Sequence, residues 1–146
     1  MASLVGSARN LPRTFLDTNI LVYADDPRDP EKQSRANILL TKHLRERTGV
    51  LSIQVLQEYF STSTGKLELA ADLAKQRIEN FAVLYVVEPR VNDLLAAIDI
   101  HRLHRLSFWD ALIVRSAKIA GCSVLLTEDL QHGQVIDGLR IVNPFL

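Results

Sequence analysis

The sequence has a single cysteine, no excess of either charge and no long hydrophobic run. Cys122 cannot form a disulfide within the chain, and its apolar neighbours after Gly121 indicate a buried thiol in a reducing compartment, so we expect a cytoplasmic protein. No stretch approaches the roughly 18 apolar residues that a membrane-spanning helix requires. Residues 1–11 have no apolar core of signal-peptide length, and we expect them to form a flexible leader.

Charge and length restrict the classes of protein that remain. Seventeen basic and seventeen acidic residues cancel, so no global positive field attracts nucleic acid. A phosphate-rich substrate would therefore depend on a local basic patch or on a metal ion. With 146 residues, of which 47% are apolar, the chain can bury one core but is too short for two average domains. We predict one domain over residues 12–146.

Short apolar runs rich in β-branched residues alternate with longer stretches of helical period, which is the pattern of a parallel sheet between two layers of helices. We predict a three-layer α/β/α fold with a central, mostly parallel sheet of four to five strands. The predicted strands are 13–16, 50–53, 82–87, 123–127 and a short last one at 139–142. We predict five longer helices. The first begins at Asp29-Pro30, the second covers about 54–64, the third ends near Phe81, the fourth begins at Pro89 and the fifth covers 109–120.

Four acids occupy comparable places in this pattern. Asp17 follows the first strand and Asp129 the fourth, while Glu58 lies about one turn into the helix after the second strand and Asp110 begins another helix. Ligands of open α/β sheets gather beyond the carboxyl ends of the strands, so all four acids can face one edge of the sheet. Each alone is also explained as a helix cap, a first-turn acid or a solvated surface residue. The apolar surroundings of Glu58 and Asp110 favour a shared role, because unpartnered buried carboxylates are costly.

Clustered carboxylates repel one another unless a divalent cation compensates their charge. The cluster contains only oxygen ligands and no convergent His or Cys, which favours Mg²⁺ or Mn²⁺ over zinc. Such a site suits the hydrolysis of phosphodiesters, because the metal neutralises phosphate charge and lowers the pKa of a bound water.

The motifs around these acids resemble the four acidic motifs of the PIN-domain family, in order and over roughly residues 12–145. They are Phe15-Leu16-Asp17-Thr18-Asn19, Gln57-Glu58-Tyr59, Ser107-Phe108-Trp109-Asp110-Ala111-Leu112 and Leu126-Thr127-Glu128-Asp129-Leu130. The resemblance is closest to VapC-type toxins of toxin–antitoxin pairs. It implies an Mg²⁺- or Mn²⁺-dependent endoribonuclease that forms a homodimer and is silenced by a cognate antitoxin. It also implies metal ligation by Asp17, Asp110 and Asp129, with Glu58 as a further ligand or as the base that orients the attacking water.

The same motifs indicate supporting residues. We expect Thr18 or Asn19 to hydrogen-bond a metal ligand or a phosphate oxygen, and Thr127 to fix the carboxylate of Asp129. Helix capping is the ordinary alternative for these side chains. We assign Asp129 rather than Glu128 to the site, because members of the resembled family place the acid two residues after the Ser or Thr that ends the strand. Glu128 is left as an accessory acid.

Other functions compatible with an acid after the first strand are less well supported. A haloacid-dehalogenase-type phosphatase needs a second acid where this chain has Asn19, and a receiver domain needs a late Lys, whereas no Lys follows Lys118. Two alternatives within the resembled family remain open. One is an RNA-processing nuclease that is not a toxin, and the other is an inactive PIN-like module that serves only binding or assembly.

Overall fold

The structure is a computed structural model that describes residues 11–146, so the expected leader, residues 1–11, lies outside the described residues apart from Leu11. The described strands are β1 (Thr14–Leu16), β2 (Gly49–Ser52), β3 (Tyr85–Val87), β4 (Val124–Leu126), β5 (Val135–Ile136) and β6 (Leu139–Val142). The described helices are α1 (Thr18–Ala24), α2 (Pro30–Glu46), α3 (Ile53–Gly65), α4 (Ala71–Phe81), α5 (Val91–His104) and α6 (Phe108–Ile119).

The strands form one sheet in the order β3-β2-β1-β4-β6-β5, in which every pairing except β5 with β6 is parallel. Every residue of β1 and β2 is buried, as expected for strands that are covered on both faces. The predicted α/β class is therefore confirmed, with six strands where we predicted four to five. The additional strand, β5, has two residues and is too short to stand out as an apolar run.

Two predicted boundaries differ from the structure for local reasons. The strand predicted at 82–87 begins only at Tyr85, because α4 continues to Phe81 and the N–H of Leu84 then bonds the Phe81 carbonyl in a turn. The two-residue loop between β5 and β6 is Asp137-Gly138, with φ of 49° and 84°. Positive φ at both loop positions matches the twist of a tight hairpin, and this pairing adds the unpredicted strand.

The order of the strands determines where a site can form. β1 lies between β2 and β4. The strands that follow β1 in the chain, β2 and β3, lie on one side of it, and the later strands, β4 to β6, lie on the other. The carboxyl ends of β1 and β4 therefore flank the point at which the strand order reverses, where open α/β sheets bind ligands. Asp17 follows β1 and Thr127 follows β4 at this point.

Two expectations drawn from what the sequence lacks can be compared with the structure. Cys122 is buried, as predicted, and burial raises the pKa of its thiol to about 12. In the part of the chain that the structure describes, no helix combines the length and the apolar character needed to cross a membrane.

Candidate active site

The structure places the four predicted acids around the carboxyl end of β1. Asp17 caps α1, Glu58 lies in the second turn of α3, Asp110 lies in the first turn of α6, and Asp129 follows β4. Their negative charges raise one another's pKa values. Asp129 and Glu58 raise the pKa of Asp17, Glu58 raises that of Asp110, and Asp110 raises that of Asp129. Four separate elements thus contribute one acid each to a single cluster.

Asp17 is the most deeply buried of these acids, with 4% of its surface exposed. Its Oδ1 accepts a hydrogen bond from the N–H of Thr18 (2.7 Å), and its Oδ2 accepts one from the hydroxyl of Thr127 (2.8 Å). Burial outweighs these bonds and, with repulsion by Asp129 and Glu58, raises the pKa of Asp17 from 3.8 to about 7. A bound cation would reverse this effect by stabilising the ionised form.

Asp110 and Asp129 are perturbed in the same direction. Burial is the main cause that raises the pKa of each, and the charge of Glu58 adds to it in both cases. The carboxylate of Asp110 raises the pKa of Asp129 further. Mutual repulsion of this kind is what a divalent cation relieves in a carboxylate site.

Polar side chains hold two of the acids in place. The hydroxyl of Thr18 donates to Glu58 Oε2 (2.7 Å), and Gln54 Nε2 donates to Glu58 Oε1 (2.9 Å), so both oxygens of Glu58 are fixed. Asn19 Nδ2 donates to Asp129 Oδ2 (3.2 Å). Thr18 and Asn19 thus bond acids of the cluster. Gln54 was missed, although its position one helical turn before Glu58 could have indicated it.

Thr127 acts differently from our prediction. We expected its side chain to fix the carboxylate of Asp129, but its hydroxyl donates to Asp17. The hydroxyl oxygen accepts from the backbone N–H of Asp129 (3.0 Å) and, at a longer distance, from Asn19 Nδ2 (3.4 Å), so it makes no bond to the Asp129 carboxylate. The reason is the strand order. Leu126 of β4 pairs in parallel register with Leu16 of β1, so the next residues, Thr127 and Asp17, are neighbours across the sheet.

Glu128 is directed to a separate network. Its Oε1 accepts from the Tyr23 hydroxyl (2.6 Å) and its Oε2 from Lys32 Nζ (3.1 Å), and Lys32 also bonds the Tyr23 hydroxyl (3.1 Å). Lys32 therefore compensates the charge of Glu128, while Asp129 has no such partner within the described residues. This arrangement favours the choice of Asp129 over Glu128. Sequence reasoning missed the network, because its members lie far apart in the chain.

An open cleft of about 310 Å³ lies beside the acids. Its walls are Thr18, Asn19, Val22, Tyr23, Asp26, Glu58, Thr62, Lys66, Glu128 and Asp129. Within residues 11–146, no three His, Cys, Asp or Glu side chains converge as a preformed metal-binding group. Neutral donors hold the acids instead. The donor set nevertheless fits a hard cation, since it is made of oxygens and Asn19 Oδ1 is buried without a hydrogen-bond partner in the described region.

Comparison with known proteins identifies a family and a group of similar folds. The sequence profile of the PIN domain matches residues 14–136. None of the curated protein sequences compared with the chain matches it.

Solved structures similar to the chain include VapC20 of Mycobacterium tuberculosis, described as a toxin that cleaves the sarcin-ricin loop. It has a TM-score of 0.64 and 19% identity, over 77% of this chain and 86% of that one. A toxin–antitoxin complex from Klebsiella pneumoniae has a TM-score of 0.65 and 16% identity, over 90% and 97%. DNA-bound VapBC from Salmonella typhimurium has a TM-score of 0.61 and 21% identity, over 90% and 97%. At these identities the likeness establishes a shared fold.

Proposed function

The chain belongs to the PIN-domain family, and on that basis we propose that it is a divalent-metal-dependent endoribonuclease that hydrolyses RNA phosphodiester bonds. Its proposed active-site acids are Asp17, Glu58, Asp110 and Asp129. The observation that carries the proposal is the cluster of these acids, drawn from four elements, at the point where the strand order reverses. Helix capping accounts for Asp17 alone, and it does not explain why four carboxylates that repel one another are gathered at this point.

The residues divide into two roles. Asp17, Asp110 and Asp129 hold Mg²⁺ or Mn²⁺, directly or through water, and the free Oδ1 of Asn19 is a further oxygen beside them. When bound, the cation neutralises phosphate charge and makes a water molecule more acidic. Glu58, fixed through both oxygens, orients the attacking water or completes the ligand set. Cleavage by water needs no nucleophilic side chain.

We expect the purified protein to cut a mixed-sequence RNA pool when Mg²⁺ or Mn²⁺ is present and to stop when EDTA is added. Denaturing gel electrophoresis of the products measures this directly. Cutting that continues in EDTA would contradict the metal site. No cutting under any condition would favour the alternative of an inactive binding module. That alternative is supported by the observation that no three metal-ligating side chains converge among the described residues.

The biological role proposed here is that of a toxin. The similar structures are described as a toxin and as toxin–antitoxin complexes, which supports a cognate antitoxin as partner. Apolar side chains on α3 are available to a partner or to a second copy in a homodimer. Ile53 is 37% exposed and Phe60 is 40% exposed, and both border a shallow groove with Ile78 of α4.

A toxin and an RNA-processing enzyme differ in what uncontrolled activity does to a cell. If the chain is a toxin, its induced expression alone should arrest growth, and co-expression of the neighbouring gene product should restore it. The Asp17→Asn variant should not arrest growth at equal protein level. Normal growth during expression of an enzyme that is active in extracts would favour the processing role.

A further inference from the structure

A polar stripe runs along one side of α3. It consists of Gln54, Glu58, Thr62 and Lys66, which follow one another at intervals of four residues, Lys66 being the residue that ends the helix. Residues four apart lie on the same face of an α-helix, one above the other. Glu58, Thr62 and Lys66 all line the cleft, and Gln54 bonds Glu58 at the other end of the stripe.

Among the walls that the described residues form, Lys66 is the only positively charged residue. In the described part of the chain its ammonium group makes no salt bridge and no hydrogen bond with another side chain. Its charge acts on the carboxylate of Asp26, but Arg28 already neutralises that carboxylate through two side-chain hydrogen bonds of 2.9 Å. Lys66 is therefore free to bind an anion that enters the cleft.

The other charges of the cleft explain why such a cation matters. Arg28 and Lys32 compensate two of the wall carboxylates, but Glu58 and Asp129 have no cationic partner among the described residues, and uncompensated carboxylates repel a polyanion. A lysine at a helix end is ordinarily solvated and only complements the helix dipole. Here, however, it faces the same cavity as the acid cluster, so an anion that reaches the acids also passes Lys66.

The spacing identifies which phosphate Lys66 meets. Lys66 lies two turns after Glu58, and eight residues of α-helix span about 12 Å. This separation favours contact of Lys66 with a phosphate of the same strand other than the one beside the acids.

We propose that Lys66, at the end of the stripe on α3, binds a backbone phosphate of the RNA substrate other than the one that is cleaved. This inference rests on the proposed nuclease function and adds a substrate-binding residue to it. Lys66 contributes to binding equally before and during the reaction, because it contacts a phosphate that does not react.

The first test is steady-state kinetics of Lys66→Gln with a single-stranded RNA oligonucleotide. We expect KM to rise about tenfold or more while kcat stays close to that of the parent protein, since one charged hydrogen bond is lost from binding. Lys66→Arg should restore most of the loss. Lys42→Gln is the matched control, because Lys42 is an exposed lysine on α2 outside the cleft and its replacement changes the net charge equally.

The second test separates this inference from the nuclease proposal. Binding of a fluorescein-labelled, mixed-sequence single-stranded RNA is measured by anisotropy in EDTA over a series of salt concentrations, with each lysine change made in an Asp17→Asn background. Loss of one phosphate contact should reduce the slope of log affinity against log salt by about 0.7. This measurement needs no cleavage, so it decides the role of Lys66 even if the protein cuts no RNA.

Four results would overturn the inference. The first is an unchanged KM and salt slope in Lys66→Gln, and the second is a parent protein that binds no RNA at low salt. The third is an equal effect of Lys42→Gln, which would mean that only total charge matters. The fourth is a fall in kcat without a change in KM, which would place Lys66 in the reaction itself.

Discussion

Replacing Asp17 by Asn should abolish RNA cleavage, with the rate falling by roughly 10²- to 10⁴-fold, because a cation held at this position supplies several kcal/mol of charge stabilisation in the transition state. The substitution keeps the size of the side chain. Asn still offers an oxygen to the N–H of Thr18, and its amide can donate to Thr127, whose hydroxyl can rotate. The fold should therefore be retained, as circular dichroism would show.

Asp137→Asn is the matched control for this experiment. Asp137 is an exposed carboxylate in the β5–β6 hairpin, where its φ of 49° suits Asn as well as Asp. It should leave cleavage unchanged. Thr127→Val should give an intermediate loss of about 10- to 100-fold, because it removes the hydroxyl that holds the Asp17 carboxylate but not the carboxylate itself. Full activity of Asp17→Asn would remove Asp17 from the proposed site.

The positions of the four acids could be predicted from sequence because the elements that carry them have strong local signals. Short, largely apolar runs mark the strands that precede Asp17 and Asp129, and Ser107 marks the start of the helix that carries Asp110. Whether these acids meet depends on strand order, which local signals do not encode. The family resemblance supplied that step, and the structure brings the acids together.

The partners of the acids were harder to predict. Thr127 bonds Asp17 rather than Asp129 because β1 and β4 are adjacent, and that adjacency is a property of the whole sheet. Tyr23 and Lys32 form hydrogen bonds with Glu128, which lies about a hundred residues later in the sequence, so no local pattern indicates these contacts. By contrast, the Asp137-Gly138 pair carried a readable hairpin signal, so β5 was predictable in principle.

The stability of the metal-free protein should fall as pH rises. The pKa of Asp17 is about 7 in the folded protein, against an ordinary value of 3.8. Between these values the folded state keeps a proton that the unfolded state has released, so the free energy of unfolding decreases with pH. The decrease begins near pH 4, ends near pH 7 and amounts to roughly 4 kcal/mol for Asp17 alone. Asp110 and Asp129, whose pKa values are also raised, add in the same direction.

Urea denaturation at pH 5, 6, 7 and 8 in EDTA measures this dependence for the parent protein, Asp17→Asn and Asp137→Asn. Asp17→Asn should show a flatter dependence and should be the most stable of the three at pH 8, since it carries no buried charge at that position. Mg²⁺ or Mn²⁺ should stabilise the parent more at pH 8 than at pH 5, because the cation binds ionised carboxylates. Burial lowers the pKa of His43, which makes stability rise with pH and opposes Asp17, so the difference between the parent and Asp17→Asn is the quantity that tests Asp17. An equal pH dependence in these two proteins would contradict the raised pKa of Asp17. Equal stabilisation of parent and Asp17→Asn by the metal would mean that the cation binds elsewhere, even if cleavage is lost.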